Sequence, residues 1–438
     1  SPTAAAAASP SAAATTSTTP AAQAAGTPAQ SSTPLAQIGG TVNVIATWAS
    51  DEQDSFLAMC KPFEDQTGVK VEYSSSRDLN AILTTRVKAG NPPELAGLPG
   101  AGVMAQFAKD GKLVDLSTIL DMDAMKKQYS ADWLTLGQTA GKQVGIFIKA
   151  DVKGLIWYDV ANVQKGGYEL PKTWDDLIAL SKKIAGTGTA PWSVGLESGA
   201  ASGWPAADWL QDIVLRQSGP EVYDAWSKGT QKWTSNEIKQ AWTTWGTIVA
   251  DPKMVYGGSQ YMLATNFGSA ADPLFTDPPK AYLHHQSSFI ATNIQKDFPK
   301  LKPVTDFNFF PFPDIGTKYA GAVQGSGDLF GMFKSTPQAA GLIKWLTTPG
   351  AQEIWVKRGG AISPNKLVPL AAYPNQIARA SAQTLTGASI VRFSADDLMP
   401  SAMENAMWKA TLDYVKDPSQ LDSILAGLDK TRADAYKS

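Results

Sequence analysis

The chain has 438 residues, 43% of them hydrophobic and 18% charged, with a net charge of −2. Without a long run of one sign, that balance argues against a nucleic-acid footprint or a polybasic membrane patch. No uninterrupted apolar run approaches the ~18 residues that span a bilayer, and the lone Cys60 permits neither an intramolecular disulfide nor a cysteine-rich zinc site.

Residues 1–39 read as a disordered tether: the first 34 use only Ser, Pro, Thr, Ala, Gln and Gly, too little apolar surface to offset the entropy of ordering. A strand is expected over 41–46 (TVNVIA). Phe56, Met59, Cys60 and Phe63 then recur at helical spacing up to Gly68, which makes Cys60 a buried thiol. A second strand over 69–73, a helix carrying Leu79, Ile82, Leu83 and Val87, an extended run over 94–98 and a helix to Gly111 complete a β-α-β-α-β alternation. Such alternation implies a mainly parallel sheet flanked by helices.

A second series follows. Extended runs are expected over 143–148, 154–158, 191–196, 280–284 and 306–310. Thr173 with Asp176 marks a helix start, and a helix over 205–217 buries Leu210, Ile213 and Val214. Beyond Tyr319 the chain is mostly helical, near 338–346, 351–357, 401–415 and 419–436.

Hydrolase and nucleotide signatures fail. Gly325-Ser326-Gly327 lacks the spacing of a nucleophile elbow, Gly331 comes one residue late for a dinucleotide fingerprint, and Gly141-Lys142 is followed by Gln143. The two histidines, His284 and His285, are adjacent, so on a strand they face opposite ways and do not readily share a metal. One is expected to be packed and the other to face a cleft. Two of the many carboxylates could still pair as a glycosidase acid and nucleophile, but no motif supports it.

The chemistry that is present suits a sugar. Among 14 tryptophans, Trp48 follows the first strand and precedes Glu52, while Trp204 sits before Pro205 at a helix start with Asp208 in the next turn. Aromatic faces stack on sugar C–H faces and carboxylates accept hydroxyl protons; packing in the core is the alternative for each ring. Arg77 and Asp78 follow the second strand, where open α/β sheets place ligands, although Asp78 could equally cap the next helix. Residues 147–153 set Lys149, Asp151 and Lys153 in an apolar extended stretch, where charge is costly unless it faces a wet cleft. Gln324-Gly325-Ser326-Gly327-Asp328 reads as a Gly-rich loop presenting Asp328, or as a plain tight turn.

In this order the pieces resemble the extracellular solute-binding proteins of family 1, which serve carbohydrate ABC transporters. The likeness spans residues 41–436. It is carried by GWPAADWLQDIVLRQSGPEVY (203–223), AYLHHQSSF (281–289), FFPFP (309–313), GGAISPNK (359–366) and DLMP (397–400), and looks nearest to the α-glucoside-binding branch. The resemblance implies an α/β, two-lobed periplasmic-binding-protein-like fold of type II, each lobe a mainly parallel sheet flanked by helices. A ligand cleft would lie between the lobes, closing by hinge motion. It implies ligand contacts from Trp48, Glu52, Arg77, Asp78, Lys149, Asp151, Trp204, Asp208, Gln286, Asp328 and Trp408, with no cofactor, no metal and no catalysis. The family often shows Asn-Gly before a small residue and an aromatic, where this chain has His285-Gln286-Ser287-Ser288-Phe289.

Lobe one is expected at 40–150 plus 325–370 and lobe two at 151–324 plus 371–438. The implied partners are a sugar and the transmembrane subunits of an ABC permease. The tether would be the stalk of a monomeric lipoprotein whose anchoring cysteine precedes Ser1, outside the cell membrane or in the periplasm. A secreted carbohydrate-active enzyme, or the same fold with a monosaccharide, a non-sugar polyol or an anionic sugar, are the competing expectations.

Overall fold

The computed structural model describes residues 35–98 and 100–437; the spacer expected over residues 1–34 lies outside them. Ile38 and Gly39 already donate to the Thr67 carbonyl, so the folded body begins just before its first strand.

Strands β1 (Thr41–Ala46), β2 (Lys70–Ser75) and β3 (Leu95–Leu98) form where β-branched and leucine residues cluster, separated by helices Ser50–Thr67 and Leu79–Lys88. β1 pairs parallel with both neighbours, as the alternation requires. The first helix turns Phe56, Met59, Cys60 and Phe63 inward and stops at Gly68, whose φ of 70° is left-handed. Cys60 is therefore buried, and burial pushes its thiol pKa up.

A short ribbon of β4 (Gln138–Thr139) and β5 (Lys142–Gln143) leads into β6 (Gly145–Val152). β7 (Leu155–Asp159), β8 (Leu283–Gln286) and β9 (Phe307–Pro311) make a second sheet in the order β8-β7-β9. β10 (Ala322–Met332) returns to the first sheet, pairing antiparallel with β3 and β6 and parallel with β11 (Ile390–Phe393).

The two-sheet α/β architecture is the expected one, with a correction in strand direction. Parallel pairing is confined to part of the first sheet, and the second sheet is antiparallel throughout. Helical excursions between strands can return the chain from either end, so alternation alone does not fix direction.

Two local expectations change. Residues 191–196 are not a strand: Trp192 makes only isolated bridges to Val255 and Leu283, because neighbouring segments each accept one or two of its backbone bonds. The presumed Gly-rich loop 324–328 lies inside β10, neither loop nor tight turn. Its glycines serve close packing, since a Cβ at Gly327 would sit 2.6 Å from the Lys149 carbonyl oxygen.

The chain passes between the sheets from β6 to β7 through Lys153-Gly154, again from β9 to β10, and a third time after β11 into helices Ala395–Leu398 and Ser401–Lys416. The half around the second sheet holds a tryptophan-rich core in which Trp192, Trp209, Trp226, Trp233, Trp242 and Trp245 are all buried. Edge-on pairs such as Trp192–Trp209 at 5.0 Å and Trp226–Trp233 at 5.1 Å interlock it. For these rings the packing alternative holds. Each buries enough apolar surface to contribute about 1.5–3 kcal/mol or more.

Candidate ligand cleft

One cleft of about 640 Å³ opens where the chain passes between the two sheets. Its floor is built by strand periodicity. Lys149, Asp151 and Lys153 alternate along β6 and its exit, so all three side chains face one way. Across the ladder, Asp328 lies opposite Lys149 and Ser326 opposite Asp151, and a register shift after Asp328 turns β10 at that point.

Two ion clusters result. The Lys149 ammonium lies 2.7 Å from Glu52 Oε1, 3.0 Å from Asp151 Oδ2 and 3.7 Å from Asp328 Oδ2. Burial opposes the Lys149 charge, but Asp151, Glu52 and Asp328 outweigh it and hold its pKa well above the usual range. Burial lifts the Asp328 carboxyl to about 6, against the pull of Lys149. The second cluster centres on Lys153, 2.7 Å from Asp208 Oδ2 and 4.6 Å above the Trp204 ring. Burial raises Asp208 to about 7; Lys153 opposes this, while Asp396 and Asp212 add to it.

Helix Trp204–Ser218 aims Trp204 and Asp208 into the cleft from a strained start. Gly203 has φ 105°, and a Cβ there would lie 2.4 Å from the Trp408 carbonyl oxygen, so only glycine fits. Trp204 is half-buried, 5.1 Å from Phe267 and 6.1 Å from Phe289. Arg77 spans the cleft: its Nε and Nη2 donate to Ser198 Oγ at 3.1 and 2.8 Å, its Nη1 reaches the Thr47 carbonyl at 3.4 Å, and its guanidinium lies 5.0 Å from the Phe267 ring centre. Trp408 Nε1 donates to Asp396 Oδ2 at 2.8 Å.

Of the eleven residues singled out in the sequence, ten line this cleft. Trp48 does so differently from expectation. Its ring is 2% exposed, packed against Phe56, Phe330 and Trp355, so it supports the wall from the core. Asp78 is exposed at the start of helix Leu79–Lys88 and makes no side-chain cap bond, so the capping alternative is not realised. Gln286 is outside the cleft: it ends β8, its carbonyl accepts the Trp157 indole proton at 3.1 Å, and its Oε1 accepts the Ser287 backbone N–H. The next residue, Ser287, lines the cleft instead.

The histidine expectation is also corrected, because both rings are buried away from the cleft. His284 Nδ1 lies 2.9 Å from the Ser193 carbonyl oxygen. His285 stacks on Trp209 at 4.2 Å, with Nε2 3.0 Å from Asp212, whose other oxygen meets Arg216 at 2.6 Å. Burial lowers the pKa of both rings.

The sequence reasoning missed Phe267, Phe289, Asp396 and Asp397 as lining residues and left Lys153 out of the contact set. Lys153 could have been found from its alternation with Lys149 and Asp151. Phe267 carries no local signal, since it reaches the cleft only through the Glu197–Asn266 bridge. Among the described residues no cluster of histidine, cysteine and carboxylate side chains is arranged to hold a metal, and no helix is long and apolar enough to cross a membrane.

The sequence pattern of the bacterial extracellular solute-binding proteins matches residues 49–353. The chain belongs to this family. The solute-binding protein is 36% identical over 375 residues to the osmoprotective compounds-binding protein GgtB of Synechocystis sp., covering 85% of this chain and 88% of that one. It is 35% identical over 407 residues to the alpha-glucosides-binding periplasmic protein AglE of Rhizobium meliloti, covering 90% and 87%. Its fold is that of a solved chitin oligosaccharide binding protein, with a TM-score of 0.80 at 18% identity, over 91% of this chain and 100% of the other.

Proposed function

We propose that this solute-binding protein is the extracytoplasmic receptor of an ABC importer, taking an α-glucoside or similar di- or oligosaccharide into the cleft and delivering it to the permease. The observation that carries the reading is the cleft itself. A volume of about 640 Å³ suits a small glycoside, and its walls set the rings of Trp204, Phe267, Phe289 and Trp408 beside carboxylates. Ring faces bind the apolar faces of a pyranose, and the carboxylates orient its hydroxyls. The two relatives named for osmoprotective compounds and alpha-glucosides support that ligand class.

In this reading Glu52, Arg77, Asp78, Lys149, Asp151, Trp204, Asp208, Asp328 and Trp408 surround the ligand. The lobes divide at 40–150 plus 325–370 and 151–324 plus 371–438. The protein works as a monomer without turnover, either tethered as a lipoprotein to the outer face of the cell membrane or periplasmic.

A thermal-shift panel of maltose, trehalose, sucrose and glycerol tests the ligand class, since ligand at 100 times Kd stabilises by about 2.7 kcal/mol. A disaccharide should raise the melting temperature with no sugar converted. A response to glycerol alone would move the assignment to polyols, and no response to any of the four would contradict it. The raised pKa of Asp208 favours a second reading, a carbohydrate-active enzyme, because a protonated carboxyl can serve as a general acid. Steady glucose release abolished by Asp208→Asn would establish that reading.

A further inference from the structure

The charges lining the cleft are unequal. Seven carboxylates, those of Glu52, Asp78, Asp151, Asp208, Asp328 and the Asp396–Asp397 pair, face three cations, Arg77, Lys149 and Lys153. All three cations already have protein partners. Lys149 is held by Glu52 and Asp151, Lys153 by Asp208, and Arg77 by Ser198, the Thr47 carbonyl and the Phe267 face. An anionic ligand would meet carboxylate excess with no uncommitted counter-charge.

The carboxylates are not equally satisfied. Asp396 Oδ1 accepts from Gln211 Nε2 at 2.8 Å and the Asp397 backbone N–H at 3.0 Å, and Oδ2 accepts from Trp408. The half-buried Asp397 side chain lines the cleft, and among the described residues it receives neither a hydrogen bond nor an ion pair. Its charged neighbours include Asp396, Glu404 and Asp208, and the cation Lys153 acts against them. Burial, then Asp396, push its pKa well above the usual carboxylate range. A second group in the cleft also lacks a partner: Ser287 is 1% exposed, lines the cavity, and its hydroxyl makes no hydrogen bond.

We propose that the cleft binds sugars carrying a protonated amino group more tightly than their neutral parents and excludes anionic sugars, with Asp397 receiving the ammonium. The inference rests on the sugar-receptor reading and names its ligand class. An ammonium supplies the counter-charge that Asp397 lacks, and Trp408, whose indole bonds the neighbouring Asp396, lines the same cleft. An anionic sugar, one of the competing expectations, is the ligand this proposal counts against.

The test is calorimetric titration of the full chain at pH 7 with trehalose, 2-amino-2-deoxytrehalose, 6-amino-6-deoxytrehalose and trehalose 6-phosphate. At least one amino sugar should bind tenfold or more tighter than trehalose, equivalent to about 1.4 kcal/mol, and the phosphate should not bind. Raising the salt concentration should weaken amino-sugar binding and leave trehalose binding unchanged. In Asp397→Asn the ratio of amino-sugar to trehalose affinity should fall below about twofold.

Equal affinities, tighter binding of the phosphate, or an undiminished ratio in Asp397→Asn would overturn the proposal. If that variant does not fold, amino-sugar affinity that is insensitive to salt in the unmodified protein does so. Binding of an amino sugar without any neutral disaccharide would end the α-glucoside reading and leave this one standing. Binding of none of the four probes would contradict both.

Discussion

Two lysines four residues apart, one on β6 and one just past its end, sit in different kinds of wall. Lys149 is ringed by Glu52, Asp151 and Asp328, and its neighbourhood continues through Trp355, 5.7 Å away, into the buried Trp48. That wall is closed on itself. Among the described residues Lys153 pairs with Asp208 alone, lies over the half-buried Trp204, and leaves Asp397 without a partner. That wall is unfinished. A lysine beside an aspartate in a cleft thus means a fully committed charge set in one place and an incomplete one in another, and the number of groups already committed distinguishes them.

The comparison breaks most directly at Lys149. Lys149→Met strands three carboxylates around a buried position and should cost about 3–5 kcal/mol of unfolding free energy in urea. Lys153→Met should cost less, because Asp208, already raised to about 7, takes up a proton instead. Similar losses in both would erase the distinction.

The tryptophans sharpen it. Trp48→Ala opens a cavity in a packed cluster and should lower stability by about 3–5 kcal/mol, read by thermal or urea unfolding. Trp204→Ala should leave the melting temperature within a few degrees and weaken sugar binding tenfold or more, about 1.4 kcal/mol. The reverse pattern would exchange the roles assigned to the two rings.

A smaller effect is set by pH. The Asp208 pKa is raised in the folded chain to about 7, so the folded state keeps this proton to higher pH than the unfolded state does. Its stabilising contribution is full below the ordinary carboxylate range and is lost as pH rises toward 7. The stability difference between the unmodified protein and Asp208→Asn should therefore fall from about pH 4 to 7 and level off above. A difference that is flat over that range would show that Asp208 is not raised.

The smallest expected change is at the surface. Lys296 and Asp51 pair at 3.2 Å with both side chains about half exposed, and Lys296→Ala should alter stability by less than about 1 kcal/mol.

Much of this was legible from residue type and spacing. Alternation of apolar and charged residues placed Lys149 and Asp151 on a cleft-facing strand, and Trp204-Pro205 marked a helix start that aims Asp208 at the same space. Spacing does not reveal what lies across a sheet. From spacing alone Trp48 reads as a ligand platform, because nothing local reveals Phe330 and Trp355, which enclose it. Gln286 was assigned to the cleft, but the contact with Trp157 that turns its backbone inward comes from a strand well over a hundred positions earlier. Phe267 and Asp397 enter only through tertiary placement, one by an isolated bridge and the other where the chain leaves β11.

The most direct test of the receptor account is a tryptophan-fluorescence titration of the unmodified protein and Trp204→Ala with whichever of maltose, trehalose or sucrose stabilises it. The account predicts a saturable one-site change in the unmodified protein, affinity at least tenfold weaker in the variant, and the sugar recovered intact. Unchanged affinity in Trp204→Ala, or sugar recovered as cleaved product, would contradict it.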